Sequence, residues 1–194
     1  MFKIGIIAYS SKTLSYYGTA TALSVARRYL VAASVGNYAL FGGGYTDAVS
    51  AVVDAYDTSL VRTTPTALSV ARDYLAAASV GNYALFGGGY TGAVSAVVDA
   101  YDTSLVRTIP TVLSVARYDL AAVSVGDYTL FGGGYASAVS ATVDAYDTSL
   151  VRTTPTALSA ARRFLAAASV GDYALFGGGY TSAVSAVVDV YQYK

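Results

Sequence analysis

The chain has 194 residues, 12 Lys and Arg against 12 Asp, a formal net charge of zero, and no Glu, His, Cys or Trp. The missing residue types exclude thiol nucleophiles, disulfides, thiolate or imidazole metal sites and any catalytic step that needs a histidine base. Zero net charge argues against a nucleic-acid partner, which requires a basic footprint to release counterions.

The amino-terminal apolar run Ile4–Tyr9 is shorter than a secretory hydrophobic region. Ser, Asp, Arg and Gly interrupt every segment before it reaches the roughly 18–20 apolar residues of a membrane helix. No membrane partner is therefore expected, and the cytoplasm is the default compartment. Residues 1–20 read as a closing-strand segment, because Lys12–Tyr17 stands before the first repeat as Thr58–Thr63 stands before the second.

From Thr21 onward the chain repeats. TALSVAR at Thr21 and Thr66 returns as TVLSVAR at Thr111 and TALSAAR at Thr156, a period of 45 residues, with LFGGGY in step at Leu40, Leu85, Leu130 and Leu175. The units are 21–65, 66–110, 111–155 and 156–194, and the first two differ at only four positions: 28, 31, 47 and 64 of the first unit. Divergence that small reads as recent duplication or deliberate construction.

A full unit predicts four strands, and the last unit, 156–194, stops after its third. In the first unit these are Leu30–Val35, closed by the turn Gly36-Asn37; Tyr38–Phe41, ended by Gly42-Gly43-Gly44; Val49–Tyr56, with a weak period of two; and Leu60–Thr64, closed by Pro65. Asp57-Thr58-Ser59 turns the chain between the last two by side-chain-to-backbone hydrogen bonding. Strands spaced near ten residues within a 45-residue period fit a propeller blade, which makes the fold class all-β. The competing expectation is a β-α array, because TALSVARRYLVAASVG starts with Thr, ends with Gly and places Leu23, Ala26, Leu30 and Ala33 on one helical face.

Three features, four times in phase, resemble the kelch repeat. They are an Arg before the first strand (Arg27, Arg72, Arg117, Arg162), a Gly pair after the second (Gly42-Gly43, Gly87-Gly88, Gly132-Gly133, Gly177-Gly178), and a Tyr ending the third (Tyr56, Tyr101, Tyr146, Tyr191). The family's Trp on the fourth strand has no counterpart, and Leu60, Leu105 and Leu150 stand near its place. The resemblance implies a propeller of four-stranded kelch-like blades and no cofactor, since copper-holding kelch oxidases need His and Cys. Kelch propellers usually carry more than four blades. Either four wide blades close alone or two chains close an eight-bladed ring by exchanging terminal strands.

The repeated Arg27-type and Asp54-type residues match in number and are expected to pair within or between blades. Asp54–Ser59 lacks the ligand density and Gly placement of a calcium loop, and GGGY lacks the Lys-Ser/Thr of a phosphate loop, so both read as scaffold.

Three columns of the aligned units change chemical character. The first reads Arg28, Asp73, Tyr118, Arg163; the second Tyr29, Tyr74, Asp119, Phe164; the third Asp47, Gly92, Ser137, Ser182. All lie in the connections into strand one and from strand two to strand three, which share one face of a blade. The opposite turns barely vary. These residues are the candidate binding face, and drift at exposed loops is the competing explanation. The expectation is a non-enzymatic scaffold that binds a protein or itself through that face. The alternatives are a propeller lectin, with Tyr stacking on carbohydrate, and a ligand-free structural array.

Overall fold

The structure, a computed structural model, describes residues 13–194. It is all-β: 15 strands form four antiparallel sheets, one per repeat. Repeat 1 contains β1 (Val31–Val35), β2 (Tyr38–Gly42), β3 (Val53–Tyr56) and β4 (Arg62–Thr63). Repeat 2 contains β5 (Ala76–Val80), β6 (Tyr83–Gly87), β7 (Val98–Asp102) and β8 (Arg107–Thr108). Repeat 3 contains β9 (Ala121–Val125), β10 (Tyr128–Gly132), β11 (Val143–Asp147) and β12 (Arg152–Thr153), and repeat 4 has β13 (Ala166–Val170), β14 (Tyr173–Gly177) and β15 (Val188–Gln192). Each sheet is a meander in sequence order, the fourth with three strands. Residues 13–20 form no strand and expose Leu14, Tyr16 and Tyr17; the rest of the expected closing segment lies outside the described residues.

Two expectations need correction. The helix-like run TALSVARRYL is an extended loop, and no helix occurs among the described residues. Its backbone is taken by distant partners: the Ser24 amide donates to Asp54 Oδ1, and in the next repeat the Leu68 and Arg72 amides donate to the Ala51 and Ser50 carbonyls. Helix propensity loses to these bonds because the same segment must carry a buried Arg back to the sheet. The third strand begins at Val53, not Val49. The Ser50 and Ala51 carbonyls serve the next repeat and Ser50 Oγ accepts from the Val52 amide, so this stretch keeps only an isolated bridge from Val49 to Tyr45 and single bonds to Gly43 and Gly44 rather than a continuous ladder.

The sheets stack face to face through their first strands, β1 on β5, β5 on β9 and β9 on β13. Those strands are almost all small residues, and a hydroxyl row links them: Ser79 Oγ donates to the Ser34 carbonyl and Ser124 Oγ to the Ser79 carbonyl. The core is consequently three copies of one interface. Val35, Leu40, Val53 and Ala55 of repeat 1 meet Ala84, Phe86 and Tyr101 of repeat 2; equivalent sets join repeats 2 to 3 and 3 to 4. At each interface a strand-two glycine faces the next repeat's Phe ring. A Cβ on Gly132 would lie 2.7 Å from Phe176 Cε1, and the buried ring has no room to move away.

The two ends of the array are unlike its middle. Val53, Val98 and Val143 are fully buried, whereas their repeat-4 equivalent Val188 is 53% exposed. Val170 and Val190 on the same face are also exposed. At the other end, Ala32, Ser34 and Ala39 are exposed and Phe41 and Tyr56 only half-buried.

The interface makes an internally controlled prediction. Gly132→Ala overpacks a filled junction and should destabilise the protein by about 2 kcal/mol. Gly177→Ala, whose Cβ would meet only Val188 Cγ2 at 3.6 Å, should change stability by less than about 0.5 kcal/mol. Urea unfolding of the two variants measures both, and equal losses would contradict the stacking.

Candidate functional site

The varied face is carried by loops that a constant framework fixes. In repeat 1, Arg27 crosses the end of its own sheet to Asp54, Nη2 to Oδ2 2.5 Å, with both side chains fully buried. Arg72–Asp99, Arg117–Asp144 and Arg162–Asp189 repeat the pair at 2.8, 2.7 and 2.6 Å. The pairing is within each blade. A second arginine reaches the same carboxylate in repeats 1 to 3, closest in Arg152–Asp144 at 2.9 Å. The other carboxylate oxygen accepts the amide of Ser24, Ser69, Ser114 or Ser159 at the loop start. Tyr56, Tyr101, Tyr146 and Tyr191 tie the same loop from behind, each hydroxyl donating to the carbonyl of Thr21, Thr66, Thr111 or Thr156. Asp57 is likewise occupied: its Oδ1 accepts the Ser59 and Val61 amides.

Directly after each buried Arg come the first two varied columns. Arg28, Asp73, Tyr118 and Arg163 pair by backbone bridges with Tyr45, Tyr90, Tyr135 and Tyr180. Tyr29, Tyr74, Asp119 and Phe164 all hold positive φ, between 50° and 57°, a left-handed conformation unfavourable for aromatic residues. This turn directs the second column inward, where Tyr29, Tyr74, Asp119 and Phe164 line one shallow cavity of 210 Å³ to which all four repeats contribute. Backbone bonds link the column from blade to blade, the Asp119 amide to the Tyr74 carbonyl and the Phe164 amide to that of Asp119.

Clefts open between the repeats on this face. One of 410 Å³ lies between repeats 1 and 2 and includes Arg28, Tyr29, Tyr45, Asp73, Tyr74 and Tyr90. Another of 360 Å³ is lined by Tyr74, Tyr90, Tyr118, Asp119, Arg163 and Phe164. Their walls are aromatic: Tyr29 stacks on Tyr74 at 4.5 Å, and Tyr118 meets Tyr90 and Tyr135 at 5.5 and 5.6 Å. The third column divides. Gly92 lines the first cleft, while Asp47, Ser137 and Ser182 sit exposed on the surrounding loops.

Sequence comparison between units missed four lining residues. Tyr45, Tyr90, Tyr135 and Tyr180 form cleft walls or hold cations on them, but being identical in every repeat they give no signal of variation. It also missed a cavity of 550 Å³ on the opposite face between repeats 3 and 4. There Tyr193 packs on Gly126 where Thr103 packs on Gly36 and Thr148 on Gly81, and its hydroxyl donates to Asp127 Oδ2. The departure of Gln192–Lys194 from the repeat was the available clue.

Burial raises the carboxyl of Asp73 above its ordinary range. It pushes that of Asp119 up to about 6, an effect opposed by Arg163, 3.7 Å away, and reinforced by Asp73. No protein-family model matches the chain, and no curated protein sequence matches it. No helix among the described residues is long and apolar enough to cross a membrane.

Asp119 makes stability depend on pH. The folded carboxyl keeps its proton to about pH 6, whereas the unfolded one releases it near pH 3.9. Between those values the folded state binds more protons, so this group adds stability as pH falls from 7 towards 4. Melting temperatures of the protein relative to Asp119→Asn should therefore rise between pH 7 and pH 5. A difference that does not change with pH would contradict the assignment.

Proposed function

We propose that the chain is a non-enzymatic, kelch-like β-propeller module that binds a protein partner through its varied loop face. One observation carries this reading: eight positions far apart in sequence, chemically different between otherwise near-identical repeats, converge on one connected set of aromatic clefts, four of them in a strained backbone conformation. Drift at exposed loops scatters substitutions rather than gathering them on one set of clefts. Tyr and Arg dominate these clefts, as they do the centres of protein interfaces. The buried Arg–Asp pairs and the interblade glycines support the kelch-like reading of the scaffold. The chain has no histidine, thiol or glutamate for acid–base chemistry.

Partner capture tests it. Replacing Tyr118 with Ser and Arg163 with Ala should weaken the partner retained by the parent protein at least about tenfold. Replacing the exposed Thr58 on the opposite face should leave retention unchanged. Equal retention by all variants would sink the proposal, and a carbohydrate-only response on a glycan array would replace it with the lectin reading.

A second reading, self-assembly, is favoured by the two array ends. The uncovered Val170, Val188 and Val190 of repeat 4 and the uncovered Phe41 and Tyr56 of repeat 1 are the two halves of the interface formed three times inside the chain. Such heterologous faces close a ring or grow a filament, according to the rotation per copy. Light scattering should give twice 19.9 kDa for two chains closing an eight-sheet ring, and Val188→Lys should return the single-chain mass. A parent protein already at the single-chain mass would contradict self-assembly.

A further inference from the structure

The geometry points to the cleft between repeats 1 and 2 as a receptor for a cationic side chain, an arginine or lysine of a protein partner, with Asp73 as its counter-ion. The inference rests on the varied face being a recognition surface and names the chemistry of one of its subsites.

The repeats themselves show what the aromatic walls accept. In repeat 1 the Arg28 guanidinium lies 5.2 Å from the Tyr45 ring centre and 5.3 Å from that of Tyr29. In repeat 4 the Arg163 guanidinium lies 4.6 Å from Phe164, 5.0 Å from Tyr135 and 6.0 Å from Tyr180. The same column in repeat 2 holds Asp73, bridged to Tyr90 as Arg28 is to Tyr45 and as Arg163 is to Tyr180. The aromatic setting is retained and the cation is replaced by a carboxylate.

That carboxylate is unpaired. Of the four buried aspartates among the described residues, Asp54, Asp99 and Asp144 each have two arginines within 4.0 Å, and Asp73 has none. The residue is only 4% exposed, its Oδ1 has no hydrogen-bond partner, and it lines the 410 Å³ cleft with Arg28, Tyr45, Tyr74 and Tyr90, the Arg28 guanidinium lying over Tyr45 and Tyr29 and making no ion pair with Asp73. Asp119, one repeat on, differs in having Arg163 beside it. A buried carboxylate oxygen without a hydrogen bond, on a group with no cation within 4.0 Å among the described residues, is costly, and burial raises the group's proton affinity. A guanidinium or ammonium entering the cleft supplies the missing charge and the missing donor while stacking on tyrosine. A neutral sugar hydroxyl supplies a donor but no charge.

The test uses the intact protein and three probes: N-acetyl-arginine methylamide, its neutral isostere N-acetyl-citrulline methylamide, and methyl cellobioside. Binding is followed by NMR shifts of the Asp73 and Tyr90 amides. The arginine probe should bind near ~1 mM, with the citrulline probe at least about tenfold weaker. Asp73→Asn should weaken arginine binding by a similar factor. Asp73→Arg should abolish it by filling the cleft with a guanidinium of its own, a residue the same column already accommodates in repeats 1 and 4, so this variant is expected to fold. Equal binding of the arginine and citrulline probes, or arginine binding unaffected by both variants, would overturn the inference. So would cellobioside binding without arginine binding. Partner retention lost in the Tyr118 and Arg163 variants but untouched by Asp73→Arg would overturn this subsite and leave the recognition face standing. Retention unaffected by any of them would remove both.

Discussion

Each repeat is organised around an ion pair between the Arg that precedes its first strand and the Asp in its third, fully buried in repeats 1 to 3 and nearly so in repeat 4. Burying two opposite charges is not in itself a source of stability, since desolvation offsets most of the attraction. What the pair does is bring further donors to backbone carbonyls of the glycine turn and the central strands. Arg27 donates through Nη1 to the Gly43 and Val52 carbonyls. Arg117 donates to the Phe131 carbonyl, and Arg162 to those of Val187 and Phe176. The carboxylate, in turn, takes the loop amide of Ser24 or its equivalents. One ion pair thus ties together the entry loop, the glycine turn and the central strands. Its electrostatics fit that role. Burial lowers the proton affinity of Arg72 and Arg117. Burial alone would raise Asp144, but Arg117, the Ser114 amide and Arg152 outweigh it and hold the carboxyl below its ordinary range. Removing one partner would leave the other charge stranded.

This division of labour explains why near-identical repeats can carry different chemistry on one face. The positions next to the ion pair, 28 and 29 and their equivalents, begin where the constant bonds end. They can change from Arg to Asp to Tyr without altering the bridge to the following tyrosine, because that bridge is made by backbone. The interface between blades is equally indifferent to them, being built from Val, Leu, Phe and Gly of the sheets. The varied face and the core can therefore change independently.

Much of this was legible in the sequence. The period, the Gly-Asn hairpin, the Asp57-type turn and the matched number of Arg and Asp all follow from residue chemistry at fixed spacing. So does the gathering of the first two varied columns on one face. The illegible parts share a cause: they depend on contacts with a neighbouring repeat. TALSVAR has helical propensity and is extended because Ser50 and Ala51 carbonyls claim the next repeat's amides. Val49–Val52 alternates like a strand and is a loop for the same reason. Tyr45 and its equivalents are invisible to comparison because they never vary. The left-handed backbone at Tyr29, Tyr74 and Phe164 falls on aromatic residues with no local preference for it, so residue type gave no sign of that turn.

The central claim is that the constant ion pair holds the varied face in place. Hydrogen exchange on Asp144→Asn tests it most directly, since Asn keeps the shape and removes the charge. The account predicts faster exchange confined to repeat 3's loops, at Ser114, Arg117, Tyr118 and Gly134, with β5 and β6 of repeat 2 protected as before. Unchanged exchange at those loop amides, or a loss spread evenly over all four repeats, would contradict it.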